Sequence, residues 1–155
     1  MKTAKSPTRI TSVFALIFSF VAMMCMFADA FAGESGCARG NVYSVMFGLQ
    51  DGYNVVVPLI IGFVAVCLVL VAAIGGVLIG EAAGKSIALA EIVLGIAAGV
   101  LFIFSILFYT SANPTVDMSS TADSGLGAGS ICVIIFSFLA AAFGAIDLLV
   151  HSKKN

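Results

Sequence analysis

The amino-acid sequence predicts an all-α integral membrane protein, a four-helix bundle of antiparallel up-down topology with both termini in the cytoplasm. Three observations predict it. Of 155 residues, 61% are hydrophobic and only 10% are charged, whereas a soluble domain carries roughly 25% charged residues. Four apolar runs, over 10–32, 55–80, 86–110 and 129–150, reach the ~20 residues that a helix rising ~1.5 Å per residue needs to cross ~30 Å of hydrocarbon. Basic residues gather on one side of the resulting zigzag. A soluble fold this small has too much surface for its volume to bury so much apolar area, so the lipid bilayer is the partner the composition implies.

Each run is expected to be helical, because backbone groups in lipid must satisfy one another within the segment. Strands of a membrane barrel would be shorter and would alternate polar with apolar. The first run, 10–32, follows Lys2, Lys5 and Arg9. It has a second reading as a secretory signal, with Ala30-Phe31-Ala32 before Gly33 as an Ala-x-Ala cleavage site. The run is longer than the roughly 7–15 residues usual for such a signal, and polar Asp29 sits beside the cut. An uncut first helix is therefore expected, with a three-span mature chain as the alternative. The first outer loop, 33–54, holds apolar residues at Val42, Val45, Met46 and Leu49. That is a helical spacing, which suits a short interfacial helix or an extended segment.

The second and third runs are joined by an inner turn over 81–85, Glu81-Ala-Ala-Gly-Lys85, short enough for a tight antiparallel hairpin. The second outer loop, 111–128, is rich in Ser, Thr, Asp and Gly and reads as flexible. Its Asn113-Pro-Thr115 is no glycosylation acceptor, because proline occupies the middle position. Threaded in this way, the chain puts Lys2, Lys5, Arg9, Lys85, Lys153 and Lys154 on one side. The other side receives Glu34, Asp51, Asp117 and Asp123, with Arg39 as its only base. Basic residues in short loops stay cytoplasmic, so the expectation is N-in and C-in, in a plasma or cytoplasmic membrane.

Residues that could carry chemistry are few. A charge at the hydrocarbon centre is costly, and polar residues kept there are often functional. Glu91 lies well inside the third run from its cytoplasmic end. Asp147 approaches from the same side in the fourth, and Asp29 lies near the outer end of the first. Glu91 and Asp147 are the candidates for an ion or proton site. Glu91 could instead pair with Lys85 or with the C-terminal lysines. Small residues one turn apart, Gly76 and Gly80, Gly95 and Gly99, and Ala140 and Gly144, let helix backbones approach closely. They are expected to pack within the bundle, or against other membrane subunits or a second copy. Cys37 in the first outer loop and Cys132 at the outer start of the fourth run face an oxidising compartment and could bridge. Cys25 and Cys67 read as packing residues.

Other chemistries find no support. The four cysteines include no Cys-x-x-Cys pair and His151 is the sole histidine, so no metal site is expected. No cofactor motif is present either. Gly80-Glu-Ala-Ala-Gly-Lys-Ser86 mimics a phosphate-binding loop but has one residue too few between its glycines and no strand before it. The net charge of −1, without a basic tract, gives no footing for nucleic acid. Ile17-Phe-Ser-Phe20 and Ile135-Phe-Ser-Phe138 echo each other as inverted repeats would. With so few residue types in use, coincidence accounts for the echo.

The layout resembles that of the four-span junction and vesicle proteins of the claudin and MARVEL groups: N-in, C-in, a larger first outer loop and a tight inner turn. The claudin signature of tryptophans and two cysteines in the first outer loop is missing, since the chain has no Trp and only Cys37 there. No residue or role is carried over. The sequence therefore favours a non-enzymatic protein acting through helix packing, as a structural, scaffolding or accessory subunit of a membrane assembly. The alternative is a small transporter or channel subunit with Glu91 and Asp147 on a cation or proton path.

Overall fold

A computed structural model describes residues 7–32, 40–49, 53–79, 84–114 and 125–152. Among the described residues it is mostly helical, with one pair of two-residue strands. The order is α1 (Pro7–Cys25), β1 (Phe31–Ala32), α2 (Val42–Met46), α3 (Val57–Ile79), α4 (Gly84–Ile103), α5 (Ser105–Ala112), β2 (Gly125–Leu126) and α6 (Ala128–Ser152). Helices α3, α4 and α6 are each long and apolar enough to cross a membrane, and α1 holds a shorter apolar stretch, Ile10–Cys25. These features are compatible with a membrane protein.

The four longest helices pack side by side. Helix α1 lies against α3 and α6, and α4 lies against the same two helices. Their faces sort by size and polarity. Small or polar residues such as Ala15, Ser19, Ala73, Ala88 and Ala140 point inward, while Ile61, Leu68, Leu78, Val93, Ile135 and Leu149 lie exposed. Exposed apolar area of that extent is not tolerated in water, whereas hydrocarbon solvates it without cost. Glycines set the closeness of approach. A Cβ at Gly62 would meet the Phe102 ring at 3.0 Å, and one at Gly99 would meet the Phe138 ring at 2.9 Å.

The first run differs from its expected extent. It is helical only to Cys25, after which residues 28–32 leave the helix and are bonded on both sides. The Ala30 N–H donates to the Gly40 carbonyl at 3.0 Å and the Val42 N–H to the Ala28 carbonyl at 3.2 Å. On the other side the Gly127 N–H donates to the Ala30 carbonyl and the Gly129 N–H to the Asp29 carbonyl, both at 2.9 Å. Strand β1 pairs antiparallel with β2, Phe31 opposite Leu126. The segment 28–30 is thus clamped between residues 40–42 and 127–129. These cross-chain bonds replace the i→i−4 ladder, which is why apolar composition did not extend the helix.

Helix α2 occupies the helically spaced part of the first loop. Asn41 caps it, its Oδ1 accepting from the Ser44 N–H at 2.8 Å, a standard way to satisfy a free first-turn donor. Gly48, with φ 60°, then turns the chain back. A side chain there would be strained and would also press on Asn54 and Tyr53. The third run, expected over 86–110, is helical from Gly84 to Ala112 but interrupted at Phe104, which has φ −88° and ψ 14°. Neither proline nor glycine marks this position in the sequence. Beyond α5, Asn113 ties that helix end to the segment that leads into α3: its Oδ1 accepts from the Asn54 N–H at 2.6 Å.

Candidate functional site

The inward faces bring a polar cluster together at the end where α1 and α4 begin and α6 finishes. Helix α1 supplies Thr11 and Ser12, α4 supplies Glu91, and α6 supplies Asp147 and His151. All five are buried. Their placement follows from helical spacing. Asp147 and His151 are one turn apart on α6, Thr11 lies near the start of α1, and Glu91 stands about two turns into α4 from Gly84, or about 10 Å.

Asp147 is the best-satisfied member. The Thr11 hydroxyl donates to its Oδ1 at 2.8 Å, and His151 Nδ1 lies 3.7 Å from the same oxygen. The His151 Nδ1 also stands 3.0 Å from the Asp147 backbone carbonyl, which accepts from it in the tautomer that carries its proton there. His151 lies directly over Gly84, where any Cβ would collide with its ring. Its Nε2 is buried without a hydrogen-bond partner.

Glu91 is different in kind. It is 0% exposed, and neither carboxyl oxygen has a hydrogen-bond partner among the described residues. The Asp147 carboxylate is near enough to act on it electrostatically. Gly144 makes room for it: a Cβ at that position would meet Glu91 Cβ at 2.9 Å and the Ala88 carbonyl at 3.1 Å. The pairing with Lys85 considered from sequence is not formed. Lys85 is exposed, and the C-terminal lysines lie outside the described residues. A buried carboxyl with no donor nearby is a costly arrangement. It is relieved by a proton on the carboxyl or by a cation between the oxygens.

Further along the bundle, Ser19 and Ser137 face one cleft with Val66, Val69, Gly95, Ala98 and Ala140, too narrow to admit a water molecule. The Ser19 hydroxyl donates to the Ala15 carbonyl at 2.9 Å, whereas Ser137 Oγ has no partner. The two echoing tetrapeptides therefore place their serines at one level of the interior. Ser105 Oγ is likewise buried and unpartnered.

The small residues singled out from sequence make contacts between helices. Gly76 meets Ser12 of α1, and Gly95 meets the Ser137 carbonyl and Ala141 of α6. Gly99 meets Phe138, and Gly144 meets Glu91 and Ala88 of α4. Ala140 lines the cleft, and Gly80 lies outside the described residues. Cys37 is also outside them, so its bridge to Cys132 is not described; the neighbour of Cys132 is Cys25. Asp29 is exposed and takes no part in the cluster. Among the described residues no group of three or more metal-ligating side chains forms.

Sequence reasoning reached Glu91 and Asp147 by their depth but missed Thr11, Ser12 and His151. A helical wheel on α6 puts His151 on the Asp147 face. Nothing in the sequence aligns α1 with α6. Comparison with protein-family models, curated proteins and solved structures finds no match.

Proposed function

We propose that this chain is a four-span membrane protein, N-in and C-in, whose internal carboxyls Glu91 and Asp147 bind a proton or a small cation admitted from the cytoplasmic side. This places it with small transporter or channel subunits. Under this reading α1, α3, the α4–α5 pair and α6 are the spans, and the His151 end faces the cytoplasm. Helix α1, Pro7–Cys25, supplies about 28 Å of helix at 1.5 Å per residue. The observation that carries the reading is the fully buried Glu91 with both oxygens unpartnered. Intramembrane carboxyls of this kind mark ion and proton sites. His151 is the gatekeeper: it caps the cluster at the helix ends and contacts Asp147 on the way to Glu91.

The cleft at Ser19 and Ser137 is closed to water, so a hydrated cation would have no path past it in this conformation. That closure, with glycines packed against neighbouring helices, favours a second reading in which the protein is a structural or accessory subunit and the carboxyl cluster only fixes helix register. One experiment separates the two. The protein is reconstituted alone in liposomes, and proton, sodium and potassium fluxes are followed under imposed gradients for wild type and Glu91→Gln. The first reading expects flux that the substitution abolishes. Wild-type vesicles no more permeable than empty ones, or flux unchanged in Glu91→Gln, would leave the structural reading in its place.

A further inference from the structure

We propose that Cys25 and Cys132 form a disulfide that ties the outer end of α1 to the start of α6. The register between these helices is fixed along their whole length. Thr11 meets Asp147, Phe14 stacks on Phe143 at 4.9 Å, Phe18 stacks on Phe136 at 5.9 Å, and the Asp29 carbonyl accepts from the Gly129 N–H at 2.9 Å. An antiparallel pair held at these points sets Cys25 across from Cys132. Both side chains are half-buried free thiols in the structure. A bridge requires the two Cβ atoms to face each other and the Cα atoms to come within about 7 Å.

The pair lies at the Asp29 end, opposite the Glu91 cluster. With the topology proposed above that end is extracytoplasmic, where disulfides persist. Oxidation proceeds by exchange with a protein disulfide of that compartment. The two S–H bonds of the chain are replaced by one S–S bond, and the exchanging disulfide leaves as two thiols carrying both protons and both electrons. The pairing differs from the one the loop position of Cys37 suggests, and it rests on helix register rather than on the liposome behaviour of Glu91. The bridge makes α1 a covalent part of the bundle at the end where its helix stops short.

Thiol counting tests it. Membranes containing the full chain are quenched in acid, denatured and alkylated with maleimide before and after reductant, and adducts are counted by mass. The chain has four cysteines, so the expected result is two labels before reduction and four after it. For Cys37→Ser the expected result is one label before and three after. Four labels on unreduced wild type, or three on unreduced Cys37→Ser, would overturn the proposal; three on Cys37→Ser together with two on wild type would assign the bridge to Cys37.

Discussion

Gly95→Ala probes a close approach of α4 to the backbone of α6. A Cβ at this position would lie 2.8 Å from the Ser137 carbonyl oxygen, 3.0 Å from Ala141 Cβ and 3.2 Å from the Ala141 nitrogen. Two of these three neighbours are backbone atoms of a long helix, so relief requires moving α6 rather than turning a side chain. Overpacking of this type costs about 1–3 kcal/mol. Alanine also gains about 1 kcal/mol of helix propensity over glycine, which would blur a comparison with wild type. Gly75→Ala supplies the control, since a Cβ there would meet only Ile87 Cδ1, at 3.7 Å. It gains the same propensity without the clash. The difference between the two variants is therefore the packing cost alone. At about 2–4 °C per kcal/mol for a chain of this length, Gly95→Ala should melt about 2–12 °C below Gly75→Ala. Thermal unfolding of both in one mild detergent measures the gap. A Gly95→Ala protein that melts with or above Gly75→Ala would refute the close approach of α4 and α6.

Three other outcomes are expected. Thr11→Val removes the hydroxyl that donates to Asp147 Oδ1 and should lower stability by about 1.5–3 kcal/mol, the range for hydrogen bonds to charged groups; detergent or denaturant titration reads it. Asn113→Ala breaks the link to Asn54 and should cost about 1 kcal/mol, with faster amide exchange confined to residues around 53–56 and 109–113. Burial, with the Cys67 thiol adding to it, raises the Tyr43 phenol above its ordinary range. The fold keeps this neutral-phenol contribution below the ordinary tyrosine pKa and loses it as pH rises through the raised one, so an ultraviolet titration should show Tyr43 ionising above the pH at which the denatured chain does.

What was legible in the sequence is what depends on composition along one helix. Runs of Val, Ile, Leu and Phe marked the stretches that form α3, the α4–α5 pair and α6, and position along the runs picked out Glu91 and Asp147. The end of α1 was not legible, because Ala28-Asp29-Ala30 leaves the helix through bonds to residues far along the chain, which apolar composition does not encode. The break at Phe104 carries no proline or glycine. The cluster was half legible for the same reason: Thr11 is an ordinary hydroxyl near the start of a helix until antiparallel register sets it beside Asp147. Cys25 read as a packing residue until that register set it opposite Cys132. Helix faces and lengths are local properties, whereas register between helices is set by interlocking shapes such as Gly144 against Glu91 and Gly76 against Ser12.

The most direct test concerns which ends of the helices share a membrane face. In a cysteine-free background, single cysteines replace Lys85, Ser152 and Ser111, all exposed positions, and each is labelled with a membrane-impermeant maleimide in sealed vesicles of known orientation. Cysteines at 85 and 152 are predicted to react from one face, the cytoplasmic one, and a cysteine at 111 from the other. Labelling of positions 85 and 152 from opposite faces would contradict the account, since the Glu91, Asp147 and His151 side chains could then not share one end of the bundle.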